Sequence, residues 1–279
     1  MNFENRKNRM AACPLELRVI QLHHIPMIKI VVPISGGKDS QACLKLALQS
    51  YDKNEVMGLF CDTQFEHPIT YAHIDKMYDM YGVKIERVCA GSVPEIVIKF
   101  RQFPTSKFRM CTDRLKIQPS KKFYRALAEQ QGGFEVWLGM RTGESKQREA
   151  NYKNTVSDEL IAPHDLGKAF PKYLNKLGVW FRLPVVDWTE NEIYKYLAGE
   201  ESPLYSQGSK RVGCFPCLAS SDRNKERDFA HGDFGREQRI IVKDLERQIG
   251  HSIFTSKGGS MRNNENQSDI FAGCAMCAI

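Results

Sequence analysis

The sequence predicts an α/β fold: a parallel twisted sheet with helices on both faces, plus an irregular, cysteine-bearing C-terminal extension. Three observations predict it. Short apolar runs alternate with helical patterns through the first half of the chain, the order of βαβ units. The first run ends in two glycines, VVPISGGKDS, and passes straight into a helical pattern. Beyond residue 150 the alternation gives way to polar, turn-rich sequence carrying a C-x2-C pair.

The strand expectations are IKIVVPI (28–34), EVMGLFCDT (55–63), VKIERV (83–88) and FEVWLGM (134–140). Helical patterns fall over 41–50, about 68–81 and about 117–130. Pro33 cannot donate to a ladder and is tolerable where the first strand is already leaving the sheet. Residues 151–180 are polar and irregular, and WFRLPVVDW (180–188) is short and apolar. Thr189 and Glu192 in TENEIYKYL form a capping box. A long helix is expected over 233–250, with Gly250 as its stop and Ile240, Ile241, Leu245 and Ile249 as its buried stripe. The organisation is an N-terminal segment (1–25), a nucleotide-binding core (26–150), a substrate and cysteine region packed on it (151–254), and a Gly/Asn/Ser-rich tail (255–279) expected to be mobile.

At 279 residues, 42% hydrophobic and 26% charged, the chain has the composition of a globular protein with a sizeable core. No apolar run approaches the roughly 20 residues of a membrane helix, and the start MNFENRKNRM lacks a signal-peptide core. A cytoplasmic protein is expected, with no membrane partner. The net charge of +7 fits either a mildly basic soluble protein or one whose partner carries phosphate. Nine cysteines in such a chain favour metal binding or catalysis over disulfides. Cys214/Cys217 and Cys274/Cys277 each form C-x2-C, and Cys111 stands in a basic stretch. Cys43, Cys61 and Cys89 lie in apolar runs and are expected as small buried hydrophobes. None of the seven histidines has metal-ligand spacing.

A strand-to-helix turn at the C-terminal edge of a parallel sheet is where such folds bind ligands. The helix N-terminus offers free N–H groups and partial positive charge. Gly36 and Gly37 allow close backbone approach, Lys38 adds a full charge, and Ser35 and Ser40 add hydroxyls. Asp39 is repulsive to phosphate unless it holds magnesium or braces the loop. The string does not fit G-x-x-x-x-G-K-[ST].

SGGKDS after a strand resembles the pyrophosphatase loop of the PP-loop ATPases. The resemblance implies cleavage of ATP between the α- and β-phosphates, with adenylation of a substrate. CDTQFEHPITY (61–71) resembles the "DTG-x-E-x-P-x-T" of the branch that includes phosphoadenosine phosphosulfate (PAPS) reductases, with Gln64 standing where that pattern has glycine. RMCTDRLKIQPSKKF (109–123) and LGMRTGES (138–145) resemble further elements of that branch, as do LPVVDWTENEIYKYL and SPLYSQGSKRVGCFPC, in the same order. Many PAPS reductases have a degraded loop, so Lys38 and Asp39 favour ATP. RMCTDRLKIQP and GCFPC are most similar to the sulfur-inserting subunit of DNA phosphorothioation.

The resemblance implies site residues. Ser35, Gly36, Gly37, Lys38, Asp39, Ser40, Asp62, Thr63, Gly139 and Arg141 would bind nucleotide, with Lys38, Asp39 and Cys111 catalytic. Cys111, Cys214 and Cys217 resemble ligands of a [4Fe–4S] cluster, with Cys274 or Cys277 as an optional fourth. Zinc on Cys214, Cys217, Cys274 and Cys277 is the alternative, and the tail pair could also be redox-active or carry sulfur. Arg109, Arg114, Lys116, Arg148, Lys210 and Arg211 are either a solvated face or contacts to a phosphate-rich substrate. The function implied is ATP- and Mg2+-dependent, AMP-forming adenylation coupled to sulfur transfer onto an acceptor, DNA or tRNA before a small metabolite, with a sulfur donor such as a cysteine desulfurase. A homodimer or hetero-complex is compatible with this. The competing expectations are a PAPS reductase making sulfite by thiol attack, and a nucleic-acid- and metal-binding partner without turnover.

Overall fold

The structure, a computed structural model, describes residues 27–254. The N-terminal segment and the tail, with Cys274 and Cys277, lie outside the described residues. Five parallel strands run in the order β3-β2-β1-β4-β5: β1 Ile30–Ile34, β2 Val56–Asp62, β3 Ile85–Cys89, β4 Phe134–Trp137 and β5 Val179–Arg182. All four expected strands form. The fifth comes from the apolar 180–188 stretch, in register with β4 from Phe134↔Val179 to Trp137↔Arg182. An isolated antiparallel bridge, Ile161↔Phe181, lies against this edge strand.

β1 is buried throughout because both faces of the sheet are covered, which is why it reads as one unbroken apolar run. Ile30, Val32 and Ile34 face a cluster with Cys43, Leu44 and Ala47 of α1 (Lys38–Ser50) and Ile74 and Met77 of α2 (Pro68–Tyr81). Val31 faces the opposite cluster, with Phe123, Tyr124 and Leu127 of α4 (Gln118–Gln131) and Phe181 of β5. Each fully buried side chain of this size contributes roughly 1.5–3 kcal/mol. A third cluster joins α3 (Val93–Phe100) to α10 (Gly232–Ile249) through Val97, Val242 and Leu245.

Pro33 stays paired with β2, opposite Leu59, so the first strand has not left the sheet. Its missing donor is accommodated on the other side. Ile30 donates to Glu55 O toward β2, and strand alternation turns the Pro33 nitrogen toward β4. The β1–β4 ladder has already ended at Val31↔Val136.

The Thr189–Glu192 capping box forms, with Glu192 N donating to Thr189 Oγ1 at 3.2 Å and Thr189 N to Glu192 Oε2 at 2.6 Å, and starts α8 (Glu190–Leu197). Gly250 stops α10 with φ +81°. Of its expected buried stripe, Leu245 and Ile249 are buried and Ile241 packs against the same cluster, whereas Ile240 is 68% exposed. Val242, Gln238 and Gly235 complete the buried side, with Gly235 against the backbone of Asp228 and Phe229. The helix expected near 117–130 begins earlier, with a turn at Met110–Thr112 and a π-turn over Asp113–Ile117. Three short helices, α5 (Lys146–Tyr152), α6 (Pro163–Leu166) and α7 (Lys172–Lys176), precede β5, and α9 (Asp222–Phe229) precedes α10. No helix of the described residues is long and apolar enough to cross a membrane.

Two buried histidines give the fold a pH dependence. His73 Nε2 lies 2.9 Å from Gln41 Oε1, and burial pulls its pKa down to about 4. His67 is likewise held at about 4 by burial, helped by His231. Unfolded histidine titrates near ~6.5, so between the two values the unfolded chain binds more protons. The contribution to stability is complete above pH ~6.5 and is lost as pH falls toward 4. The urea midpoint is expected to drop between pH 7.5 and 5, and His73→Gln to flatten that drop. A midpoint constant over this interval contradicts the assignment.

Candidate functional site

The strand order reverses direction at β1, between β2 and β4, and the glycine loop leaves β1 at this switch point. Ligand crevices of open parallel sheets form there, outside the carboxyl ends of the strands. Gly36 has φ +76°, a conformation costly for other residues, and a Cβ on it would lie 2.6 Å from Thr70 Cγ2. The two serines brace the loop. Ser40 Oγ donates to Gly37 O at 2.9 Å and accepts from Ser35 N at 3.2 Å, while Ser35 Oγ accepts from Gly37 N at 3.3 Å. Gly37 caps α1 with no side-chain acceptor of its own, which leaves the first turn of the helix to be satisfied from outside.

Lys38 is only 4% exposed. Its Nζ lies 3.0 Å from Glu190 Oε1 and 3.8 Å from Asp39 Oδ2, beside the rings of Tyr205 and Tyr194. Asp39 Oδ1 forms a close ion pair with Arg141 Nε, and Arg141 is itself buried. Of the two roles open to Asp39, the geometry is that of a brace. The LGMRTGES turn follows β4, the neighbour of β1, and Gly139 makes the contact possible. A Cβ at Gly139 would lie 2.6 Å from Asp39 O and 2.7 Å from Ser40 N.

The second motif stands at the end of β2. Asp62 Oδ1 accepts from Gln64 N at 2.8 Å and from Tyr71 OH at 2.8 Å. Gln64, which stands where the resembled pattern has glycine, adopts φ +55°, in the left-handed region that favours glycine. The Asp62 side chain stabilises it there, much as an Asx-turn does. Thr63 Oγ1 donates to Glu66 Oε1 at 2.6 Å, and Tyr71 OH lies 3.1 Å from Glu66 Oε2. Burial holds the Glu66 carboxyl above the usual carboxylate range.

The C-x2-C segment is tied to this motif. Glu66 and Cys214 form an antiparallel bridge, and Phe215 N donates to Phe65 O at 2.7 Å. Cys214 Sγ lies 3.2 Å from Thr63 Oγ1, and burial pushes its thiol pKa up. Cys111, Cys214 and Cys217 line one cavity of about 290 Å³, together with Thr63, Arg109, Lys116, Lys210, Arg211 and Arg227. Val212 lines the same cavity and packs beside Gly36 and Gly37, so one short segment borders both the loop and the thiols.

Other expected residues fall elsewhere. Arg148 is buried against Glu144 in an ion pair and braces the turn after β4. Arg114 pairs with Asp113 and lies over Phe100. Neither is among the residues lining the cavity. Cys43 and Cys61 are buried as expected; Cys89 is half-buried and accepts from Gln64 Nε2 at 3.1 Å. Sequence reasoning missed Glu190 and Tyr205, whose hydroxyl accepts from Lys38 N at 3.1 Å. The quoted motifs contained Glu66, but only the fold shows it beside a cysteine from 148 residues away.

No three His, Cys, Asp or Glu of the described residues are grouped as ligands of one metal ion. A four-iron cluster makes a different demand, since each thiolate binds a separate iron. Three soft thiols bordering one cavity are the donor type such a cluster takes.

A doubly wound parallel sheet with a glycine loop at its switch point is the architecture of an adenine nucleotide alpha hydrolase-like fold. The chain belongs to the phosphoadenosine phosphosulfate reductase domain family, whose model matches residues 29–220. It is 30% identical over 193 residues to an uncharacterized protein of Methanocaldococcus jannaschii, covering 68% of this chain and 36% of that one. It is 25% identical over 248 residues to the phosphoadenosine 5'-phosphosulfate reductase of Proteus mirabilis, covering 85% of each. The PAPS reductase from Candida auris, solved as a phosphate complex, aligns over 77% of this chain and 96% of its own at 16% identity and a TM-score of 0.46. The chain spans 36% and 40% of the length of the first two curated relatives it matches, both from Methanocaldococcus jannaschii.

Replacing Gly139 with alanine is expected to push the β4 turn off the loop. Overpacking of this kind costs about 1–3 kcal/mol. The Gly139→Ala variant is expected to fold with a lower urea midpoint than the parent. An unchanged midpoint would show that the two turns are not in contact.

Proposed function

We propose that the protein adenylates an acceptor with ATP, releasing pyrophosphate, and that sulfur then replaces AMP on the acceptor. The observation that carries the reading is the placement of a buried lysine and glycine loop next to a cation-rich cavity bordered by three cysteines, with Val212 shared between them. The loop N–H groups, Lys38 and the Ser35 hydroxyl hold the β- and γ-phosphates, while Ser40 braces the loop through Gly37 O. The acceptor oxygen attacks the α-phosphorus, the bond to the β-phosphate breaks, and pyrophosphate leaves into donors already aimed at its charge. Charge-assisted contacts of this kind contribute roughly 1.5–3 kcal/mol each. Magnesium travels with the triphosphate, while Asp39 remains on Arg141.

In the second step a sulfur nucleophile at the sulfide oxidation level, brought by an external sulfur donor, attacks the atom bearing the adenylated oxygen. AMP leaves with that oxygen, so acceptor–OH, ATP and HS⁻ give acceptor–SH, AMP and pyrophosphate without net electron transfer. Cys111, Cys214 and Cys217 would hold an iron–sulfur cluster here; when bound, it supplies a coordination position for sulfide. Arg109, Lys116, Lys210 and Arg211 orient an anionic acceptor, for which a nucleic-acid phosphate backbone is the best match to several cations along one cavity. Partner subunits that present the nucleic acid and the sulfur donor complete the system.

A second reading is favoured by the 85% mutual coverage with a PAPS reductase. There a thiolate attacks the sulfur of PAPS, the nucleoside bisphosphate leaves, and a second thiol releases sulfite. Lys38 separates the two readings, since it serves a pyrophosphate that the reductase reaction never makes.

Anaerobically reconstituted protein is expected to release pyrophosphate from ATP in the presence of DNA or tRNA, with the more active of the two naming the acceptor. Lys38→Ala is expected to lower ATP affinity at least tenfold, about 1.4 kcal/mol, with the fold intact by circular dichroism. Sulfite from PAPS with no pyrophosphate from ATP would establish the reductase reading instead. Iron content and visible absorbance test the cluster, and a colourless protein with one stoichiometric zinc would exclude it.

A further inference from the structure

The donors of the phosphate loop are engaged by groups of the chain itself. The first free N–H of α1, on Lys38, donates to Tyr205 OH at 3.1 Å. The Lys38 ammonium lies 3.0 Å from Glu190 Oε1. A phosphate seated on this helix N-terminus would place one oxygen near each of these atoms. A carboxylate and a hydroxyl therefore occupy the two positions that a phosphate group would take.

The two ends of the Lys38–Glu190 pair differ sharply. The Lys38 side chain is 5% exposed and that of Glu190 is 57% exposed. Glu190 reaches in from solvent at the first position of α8, while Lys38 is fixed between the Tyr194 and Tyr205 rings. On leaving Lys38, Glu190 would return to water and stay at a helix N-terminus, where negative charge is favoured. Its contact with Lys38 holds its carboxyl below the usual range, so it is ionised when it competes with phosphate. Tyr205 belongs to the turn-rich segment that ends in Cys214 and Cys217. That segment is anchored behind the loop: Gln41 Nε2 donates to Glu200 O at 2.8 Å, and Lys45 Nζ pairs with Glu200 Oε2 at 2.9 Å.

We propose that Glu190 and Tyr205 form an autoinhibitory gate that occupies the phosphate grip before a ligand binds, so that a condensed phosphate must displace both to enter. The consequence is a lowered apparent affinity, since only the fraction of molecules with the gate withdrawn can bind. It also links the two halves of the site. Withdrawal of Tyr205 shifts the segment that carries Lys210, Arg211, Cys214 and Cys217, so filling the grip reshapes the thiol-bordered cavity.

The inference rests on Ser35–Ser40 being the phosphate grip, and the experiment separates the two claims. Inorganic pyrophosphate is titrated calorimetrically, without divalent cations and at fixed ionic strength, into the parent protein and into the Lys38→Ala, Glu190→Gln, Tyr205→Phe and Glu192→Gln variants. Glu190→Gln and Tyr205→Phe are each expected to bind pyrophosphate more tightly, Glu190→Gln roughly tenfold, equivalent to about 1.4 kcal/mol. Glu192→Gln removes the same charge from the same helix, but its carboxylate is turned to Thr189. That variant is expected to change affinity less than twofold. If Lys38→Ala binds as the parent does, the phosphate grip itself is misassigned. If Lys38→Ala loses binding while Glu190→Gln and Tyr205→Phe bind equally or more weakly, the grip stands and the gate is refuted. Equal gains in Glu190→Gln and Glu192→Gln would show a long-range charge effect and also refute it.

Discussion

The ion pair between Asp39 and Arg141 is the constraint on which the site depends. A carboxylate in the first turn of a phosphate-binding helix is electrostatically misplaced unless a cation cancels it. Arg141 supplies that cation from the turn after β4, and it is buried while doing so. Breaking such a pair from one side leaves a poorly solvated charge and costs about 3–5 kcal/mol when the pair is deeply buried. Asp39 keeps some solvent contact, so the cost here lies below that range. With the pair formed, the Asp39 charge is cancelled and Lys38 faces Glu190 as its remaining carboxylate partner. The pair also needs Gly139, because the two turns approach closely enough to exclude a Cβ. Adjacent parallel strands thus deliver two loops that are correct only together.

A second dependence runs through Gln41. Fully buried in α1, it donates to Tyr81 OH and Glu200 O, and its oxygen faces His73. Tyr81 OH donates in turn to Glu200 Oε2 at 2.7 Å. A buried amide with every group engaged resists rearrangement, because each broken bond leaves an unsatisfied polar atom costing about 1–3 kcal/mol. The network fixes Glu200 against α1 and α2, and so sets where the segment toward Tyr205 and Cys214 begins. Beyond Glu200 the segment runs over the loop at Tyr205 and along the cavity at residues 210–214.

Much of this was legible in the chain, and the reasons differ by element. β1 and α1 were readable because continuous burial, two glycines and a helical repeat all agree over 28–50. The capping box was readable because its chemistry is local. β5 was not, since a four-residue edge strand is fixed by pairing with β4 rather than by its own composition. Gln64 in a left-handed conformation was hidden because the compensating partner, Asp62, acts through a side-chain hydrogen bond. On α10 the expected Leu245 and Ile249 are buried, but Ile240 lies in solvent and Gln238 and Gly235 lie on the buried side, which apolar identity could not show. At the site, residue types picked out the glycine loop and the cysteines, which the fold places on either side of Val212. They could not pair Lys38 with a glutamate 152 residues away, nor bring Glu66 to Cys214, because such pairs exist only through topology.

The π-turn at Asp113–Ile117 shows how the helix is fitted to the cavity. Its hydrogen bond runs from Gln118 N to Asp113 O, five residues apart instead of four. Side chains four apart share a face in a regular α-helix, and a widened turn moves the matching position one residue on. Here Cys111 and Lys116 both border the cavity, while Leu115, at the regular spacing, is fully buried in the cluster beneath α3 and α10. The widened turn sets a thiol and a cation side by side without removing Leu115 from the core. Lys116 also lies near enough to Glu66 to favour its charged form, opposing the effect of burial. The charge balance around the cysteines is therefore set jointly by a local widening of one helix and by the end of β2. Inserting a residue into the helix satisfies both demands, whereas changing a side chain at either position would satisfy only one.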